Sequence, residues 1–339
     1  MRRLGAILAG ILLLVGLLHA GLWWAVTVRL EARVLAAFDA ERASGASLAH
    51  GPPSRGGYPF SASVTVPGLG YRGAVALPGG GALPVAGSAA TLRLTVAAAA
   101  PRVLVADIAC PCEAAAGPGL PMPIAAEALR AVLPLARGEG GPVATGRGIV
   151  LYLPDGPVTV ARLRATAPEA PAATVSAEAF GIVLPPPEAQ WPFGREVASA
   201  AVTLRLRGLL PPGPSPARAL AAWRDQDGAL LVDRLSLAWG PLSVNGAASL
   251  SVDQALQPRG SGTATLGGFG PAIDRLVAAG LIGRGPAALV RLGLAAASRP
   301  GEAGERVVDI ALALEDRTLS VARIPVARLP PVTWPDAAR

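Results

Sequence analysis

The chain has 339 residues, of which 52% are apolar but only 4% aromatic, so its core must be assembled from many modest Ala, Val and Leu contacts. All 30 residues counted as Lys or Arg are Arg, giving a formal net charge of +7, yet they are spread singly with no aromatic rings between them. That spacing lacks the cationic stripe and stacking platforms of a nucleic-acid binder, so no nucleic-acid partner is expected, whereas anionic lipid headgroups would still be attracted.

From Leu4 to Val28 the only polar side chains are His19 and Thr27. Roughly 25 residues at about 1.5 Å each cover a hydrocarbon core of about 30 Å, which predicts one transmembrane anchor over residues 1–28. Ala20-Gly21 resembles a signal-peptide cleavage site, but Trp23-Trp24 and Ala25-Val26 carry the apolar run past it, so the anchor is expected to stay uncleaved. Arg2 and Arg3 precede the span, and the positive-inside bias places them in the cytoplasm, with the span in a bacterial inner membrane and the remainder in the periplasm. Trp23 and Trp24 then suit the far headgroup belt. Residues 29–54 read as a helical stalk and connector, helical to about Ala43, with Leu30, Val34, Leu35 and Phe38 on one face. The segment is either a free stalk or a lid on the sheet that follows; its even apolar face favours packing.

Residues 55–339 are expected to form one β-rich domain of mainly β (α+β) class: curved antiparallel sheets of successive hairpins with a few short helices. Leu92, Leu94 and Val96 alternate with Thr91, Arg93 and Thr95, and Val202, Leu204 and Leu206 with Thr203, Arg205 and Arg207. Leu242, Val244, Gly246, Ala248, Leu250 and Val252 alternate with Ser243, Asn245, Ala247, Ser249 and Ser251. One greasy and one wet face per strand is the signature of antiparallel pairing. Further strands are expected at Ser61–Val66, Val75–Leu77, Val103–Ile108, Ile149–Leu153, Val158–Ala165, Thr174–Leu184, Leu230–Trp239, Val307–Leu314 and Leu319–Ile324, with turns at Pro154–Gly156 and Gly240-Pro241. Helices are expected at Ala217–Gln226, capped by Ser215-Pro216 and stopped by Gly228, at Pro271–Ala279, at Pro286–Ala296 and, more weakly patterned, at Ile124–Ala136. The Pro-rich stretches Pro118–Pro123, Pro185–Pro187 and Pro211–Pro216 read as loops within the domain.

Few residues carry chemistry. His19 lies in the span and His50 reads as a surface-loop histidine, and no G-x-S-x-G elbow occurs, so neither a catalytic triad nor an enzyme is expected. Cys110 and Cys112 are a possible disulfide in an oxidising compartment; otherwise they are incidental, since C-x-C lacks the further ligands of a zinc site. Asp225-Gln226-Asp227-Gly228 opens like a calcium loop but continues with Ala229 and no closing Glu. Gly79–Gly81 and Gly267–Gly270 lack the strand-then-helix setting of a phosphate cradle. No metal and no cofactor are expected.

Gly57-Tyr58-Pro59-Phe60, Trp223 with Gly228, Trp239-Gly240-Pro241-Leu242 leading to Gly246, Leu250 and Asp253, and Arg317–Val326 with Leu329–Val332 occur in this order along the chain. In that order they resemble an alphaproteobacterial envelope family, domain of unknown function 2125, in which Gly is commoner than Ala322. The resemblance implies an envelope protein and no catalytic residues. The general layout also looks like that of AsmA-like proteins, anchored β-sheets associated with lipid movement. Two functions follow from the pattern. In the first, the apolar sheet face binds or moves phospholipid or another apolar ligand, with Leu92, Leu94, Val202, Leu204, Leu206, Val244, Leu250 and Val252 as the candidate contacts. In the second, that face is closed by the chain's own elements and the protein is an envelope scaffold, its protein partners unspecified.

Overall fold

The computed structural model describes residues 2–76, 82–116, 121–136, 140–167, 174–208, 216–301, 304–332 and 334. Leu77, Gly79–Gly81, the Pro-rich residues 118–120 and 211–215, and the N-cap assigned to Ser215 lie outside them. The chain is mainly antiparallel β and divides into two compact units, residues 1–74 with 84–146 and residues 75–83 with 147–339.

The first unit opens with α1 (Arg2–Ala43), one continuous helix. Among the described residues nothing covers the apolar stretch from Ile11 to Leu18: Ile11, Leu12, Leu13, Leu14, Leu17 and Leu18 are each between 55% and 67% exposed. The helix is long and apolar enough to cross a membrane. Further along, the helix is a lid. Leu30, Val34 and Phe38 pack on Val64, Val66, Leu92 and Leu94, and Val64 and Val66 are fully buried. The sheet beneath begins with β1 (Ser47–Ala49) and β2 (Ser54–Gly56), which pair with successive stretches of β3 (Ser61–Ala76). They form one edge strand interrupted at Pro52-Pro53, where two residues without N–H groups cannot continue a ladder.

Next come β4 (Ala82–Ala97) and β5 (Ala100–Ala116), a long hairpin with an irregularity where Ala89 faces Cys112 and Thr91 faces Ala109. One extra residue of β5 bulges there, and Cys110 and Cys112 are bonded across it, with 4.5 Å between their Cα atoms. β6 (Met122–Ala125) and β7 (Ala128–Pro134) pair with β5 on either side of this bulge. This corrects the expected helix at Ile124–Ala136. Its Ala, Leu and Arg favour a helix locally, but Leu129 opposite Ile108, Val132 opposite Val105, and an Arg130–Asp107 ion pair of 2.7 Å reward the extended form.

The second unit is a meander. β8 (Val143–Leu153) turns at Pro154-Asp155 into β9 (Gly156–Thr166), followed by β10 (Thr174–Val183), β11 (Glu196–Arg207), β12 (Ala229–Trp239), β13 (Leu242–Val252) and β14 (Pro258–Gly267). From β9 to β14 each strand pairs antiparallel with the next. The Gly-rich β14 has no greasy alternation and is a strand the sequence pattern missed. Beyond it, β15 (Arg299–Pro300) and β14 both pair with β16 (Arg306–Glu315), which continues to β17 (Thr318–Val321) and β18 (Ile324–Arg328). The expected strand Leu319–Ile324 is therefore two strands. Ala322 and Arg323 both take positive φ, 48° and 69°, the combination that a two-residue hairpin turn requires.

Three helices interrupt the meander close to the expected places: α2 (Pro216–Asp225), α3 (Phe269–Ala278) and α4 (Arg284–Ala297). α2 buries Ala217, Ala219 and Trp223, whose indole Nε1 donates to the Arg207 carbonyl at 3.0 Å. Gly228 starts the return strand against the indole, where an added Cβ would lie 2.3 Å from the ring. α3 buries Phe269, Ala272 and Ile273. In α4, Ala287 is buried, while Leu289 and Leu292 are 72% and 69% exposed.

Candidate functional site

The eight apolar candidate residues separate into two places. Leu92 and Leu94 lie under α1 in the first unit and serve as the floor of the chain's own lid. The other six belong to the second unit, where the register lines them into rows across five strands. Leu206, Leu230, Leu250, Gly260 and Leu314 form one row; Leu204, Val232, Ala248, Gly262 and Leu312 form the next. Val202, Leu235, Gly246, Ala264 and Ile310 form a third, and Leu237, Val244, Leu266 and Val308 continue into a fourth. Val252 ends β13 opposite Pro258. Leucine rims thus flank a floor of Gly and Ala contributed by β13 and β14.

Burial is uneven over this face. Val308 and Ala264 are 2% and 5% exposed at the end near α3, whereas Leu206, Leu230, Leu250 and Leu314 at the other end are only half-buried. Val202, Leu204, Val244 and Val252 are half-buried as well, and Leu235 is 43% exposed. The alternation along β13 is as expected: Leu242, Val244, Gly246, Ala248 and Leu250 are half-buried, while Ser243, Asn245, Ala247 and Ser249 are exposed.

A cavity lies on the opposite face, where polar side chains alternate with small ones. A groove of about 730 Å³ runs over Ala247, Ser249, Ser261, Thr263, Ala311 and Ala313, small side chains in register on three strands. Arg205 closes one side through a fork of 2.7 and 3.0 Å to Asp233, whose hydrogen bonds and charge hold the guanidinium above its ordinary pKa. Further along the same face Asp309 accepts from Thr265 at 2.6 Å and from Arg299 at 2.7 Å. The hydrogen bond from Arg299, then that from Thr265, holds the Asp309 carboxyl below its ordinary pKa.

Around Trp23 the first unit has a cleft of about 270 Å³ between α1 and its sheet, lined by Leu22, Val26, Pro59, Ala62 and Ala97 among others. Trp23 points inward, its Nε1 donating to the Ser61 carbonyl at 2.8 Å, whereas Trp24 is 59% exposed. His19 meets the Pro59 carbonyl at 2.9 Å. Thr27 is buried and donates back to the Trp23 carbonyl. Residues that hydropathy assigns to the anchor therefore also dock on the sheet, which hydropathy could not distinguish. His50 is half-buried, with its ring 5.1 Å from that of Phe38. Among the described residues no group of three His, Cys, Asp or Glu could hold a metal ion.

The motifs quoted for the family resemblance have structural roles. Trp239 donates to the Gly194 carbonyl at 2.7 Å and meets Phe193 edge-on at 5.1 Å, and Gly240, at φ 55°, leaves room for the Phe193 carbonyl. Trp191, 6.2 Å from Trp239, completes this aromatic clamp, which the sequence reading missed because its partners lie more than forty residues apart. Trp223 and Gly228 interlock as described above. Residues 23–330 match the model of a family described as "Uncharacterized protein conserved in bacteria (DUF2125)". The chain belongs to this family. No curated protein and no solved structure matches it, so the layout comparison with AsmA-like proteins adds nothing further. The family match opens at Trp23, whose indole hydrogen-bonds to the start of β3.

Proposed function

We propose that this family member is a non-catalytic, single-pass protein of the bacterial inner membrane, its N-terminus cytoplasmic and both units periplasmic, and that the second unit binds phospholipid or another apolar ligand. One observation carries the binding reading: the leucine-rimmed, Gly- and Ala-floored face of β11 to β14 and β16 is buried at one end, by Val308 and Ala264, but only half-buried over the rest of its length. Apolar area left in water costs about 25 cal/mol per Å², so a ligand that covers such a face gains what the protein's own elements leave unclaimed. The anchor reading is supported by the uncovered apolar stretch of α1 from Ile11 to Leu18, and the docking of His19 and Trp23 on the first unit favours an uncleaved helix.

A photoactivatable side chain at Leu235 in the full-length protein should form adducts with radiolabelled phospholipid, whereas the same group at Thr263 should not. Equal labelling at both positions, or none at Leu235, rejects the lipid face. A periplasm-active reporter fused after Arg339 should be active, and activity of a cytoplasm-only reporter there overturns the orientation. A scaffold role is favoured by a different observation, the 730 Å³ groove of small side chains with its charged Arg205–Asp233 rim, a mix of apolar floor and paired charge that suits a protein segment.

A further inference from the structure

The helix that would cross the membrane touches the first unit's sheet at a place with no charge. The turn Tyr58-Pro59-Phe60 between β2 and β3 lies against α1. His19 bonds to the Pro59 carbonyl at 2.9 Å, Trp23 donates to the Ser61 carbonyl at 2.8 Å, and the Tyr58 ring stands edge-on 5.4 Å from Trp23. The tip of the β4–β5 hairpin joins this turn, the Ala98 N–H donating to the Phe60 carbonyl at 2.9 Å. That tip reads Ala97-Ala98-Ala99-Ala100-Pro101, all exposed, in place of the Gly, Asn and Asp that water-facing hairpin turns use. No charged side chain occurs from Gly56 to Val66 or from Thr95 to Pro101. Phe60 is nonetheless 80% exposed and Tyr58 53% exposed.

Polarity sorts along the helix. The ion pair of Arg55 with Glu31, that of Arg42 with Asp39, and the Tyr71–Glu41 hydrogen bond all meet α1 closer to its C-terminus. At about 1.5 Å per residue, His19 and Trp23 stand roughly 22 and 28 Å along the helix from Leu4, where the span begins, and the hydrocarbon core is about 30 Å thick. The turn docked on these residues is therefore level with the outer edge of that core.

We propose that the Tyr58–Phe60 turn and the Ala97–Pro101 hairpin tip insert into the outer boundary between headgroups and acyl chains, a second membrane contact beside the anchor. Its occupant is the phospholipid bilayer itself, by continuity with the span. Tyr58 and Phe60 are amphipathic and apolar rings of the kind that this boundary favours. The inference rests on α1 crossing the membrane, and its consequence is that the first unit is held against the bilayer at two places rather than pivoting on a stalk.

The test uses the full-length chain in vesicles of phosphatidylethanolamine and phosphatidylglycerol, with a nitroxide label placed singly through Phe60→Cys, Ala99→Cys, Leu18→Cys or Ser47→Cys; the native cysteines, being bonded, do not react. Collision rates with oxygen and with a water-soluble nickel chelate are compared. Labels at 60 and 99 should both be several-fold less accessible to nickel and more accessible to oxygen than the label at 47, approaching that at 18. If they match the label at 47 while 18 reads as acyl chain, or are shielded from both reagents as inside a protein core, the insertion is wrong and the anchor stands. If the label at 18 also reads as water, the anchor and the insertion fall together.

Discussion

Two apolar sheet faces in this protein have the same sequence pattern and different fates. In the first unit Val64 and Val66 are fully buried, because α1 brings Leu30, Val34 and Phe38 down on them. In the second unit the equivalent residues of β11, β13 and β14 form longer rows, but only the end near α3, with Val308 and Ala264, is buried and the rest stays half-buried. A 42-residue helix aligned with a small sheet closes its face, whereas helices of 10 residues each beside a wider sheet do not. Whether an alternating strand makes a core or a binding surface is thus a question of what is long enough to lie across it.

The sharpest way to break this contrast is a charge on each face. Val64→Asp should cost roughly 4 kcal/mol or more, since the carboxylate has neither water nor partner, and abolish cooperative thermal unfolding of the first unit. Val244→Asp should cost about 1–2 kcal/mol, because its surroundings admit water, and Ser243→Asp within about 0.5 kcal/mol of nothing. If Val244→Asp proves as damaging as Val64→Asp, the second face is closed and the scaffold reading gains; if it is as harmless as Ser243→Asp, the strand register is wrong.

Next in size is Gly228→Ala, which probes how firmly α2 is seated beside this sheet. A Cβ placed 2.3 Å from the Trp223 ring must displace the indole or the strand. The expected loss is about 1–3 kcal/mol, seen in a lower melting temperature together with a red-shifted tryptophan emission as the ring meets water. Unchanged stability would mean that α2 is not anchored there.

The smallest effect concerns the polar face of the same sheet. Asp309 has a folded pKa below its ordinary value, so its bonds to Arg299 and Thr265 contribute stability at neutral pH that is lost as the pH falls through that lowered value. Asp309→Asn should therefore lower the melting temperature slightly at pH 7 and leave it unchanged in strong acid, where wild type has lost the same interaction. Because the pair is exposed to solvent, the difference should also shrink with added salt. A cost that persists in acid would show that the pair supports the β15–β16 edge by shape rather than by charge.

The amino-acid sequence by itself determined the elements whose signals are local: the long apolar helix to Ala43, the alternating strands around Leu94, Leu204 and Val244, the turns at Pro154 and Gly240, and the α2, α3 and α4 helices with their proline and glycine punctuation. It also carried the family membership, because Trp223, Gly228, Trp239 and Gly240 are required by close contacts that tolerate few substitutes. Tertiary structure alone decided the rest. Residues 124–136 become strands because β5 offers a ladder that outweighs local helix preference, and β14 is recruited between two greasy neighbours despite having glycines where they have leucines. The two ends of α1 part company for the same reason: hydropathy sees one uniform apolar run, but only the arrival of the Tyr58–Ser61 segment at His19 and Trp23 distinguishes the turns that the rest of the first unit covers from those it leaves bare. Periodicity records which face of an element is apolar, and it is the packing of distant segments that settles what covers that face.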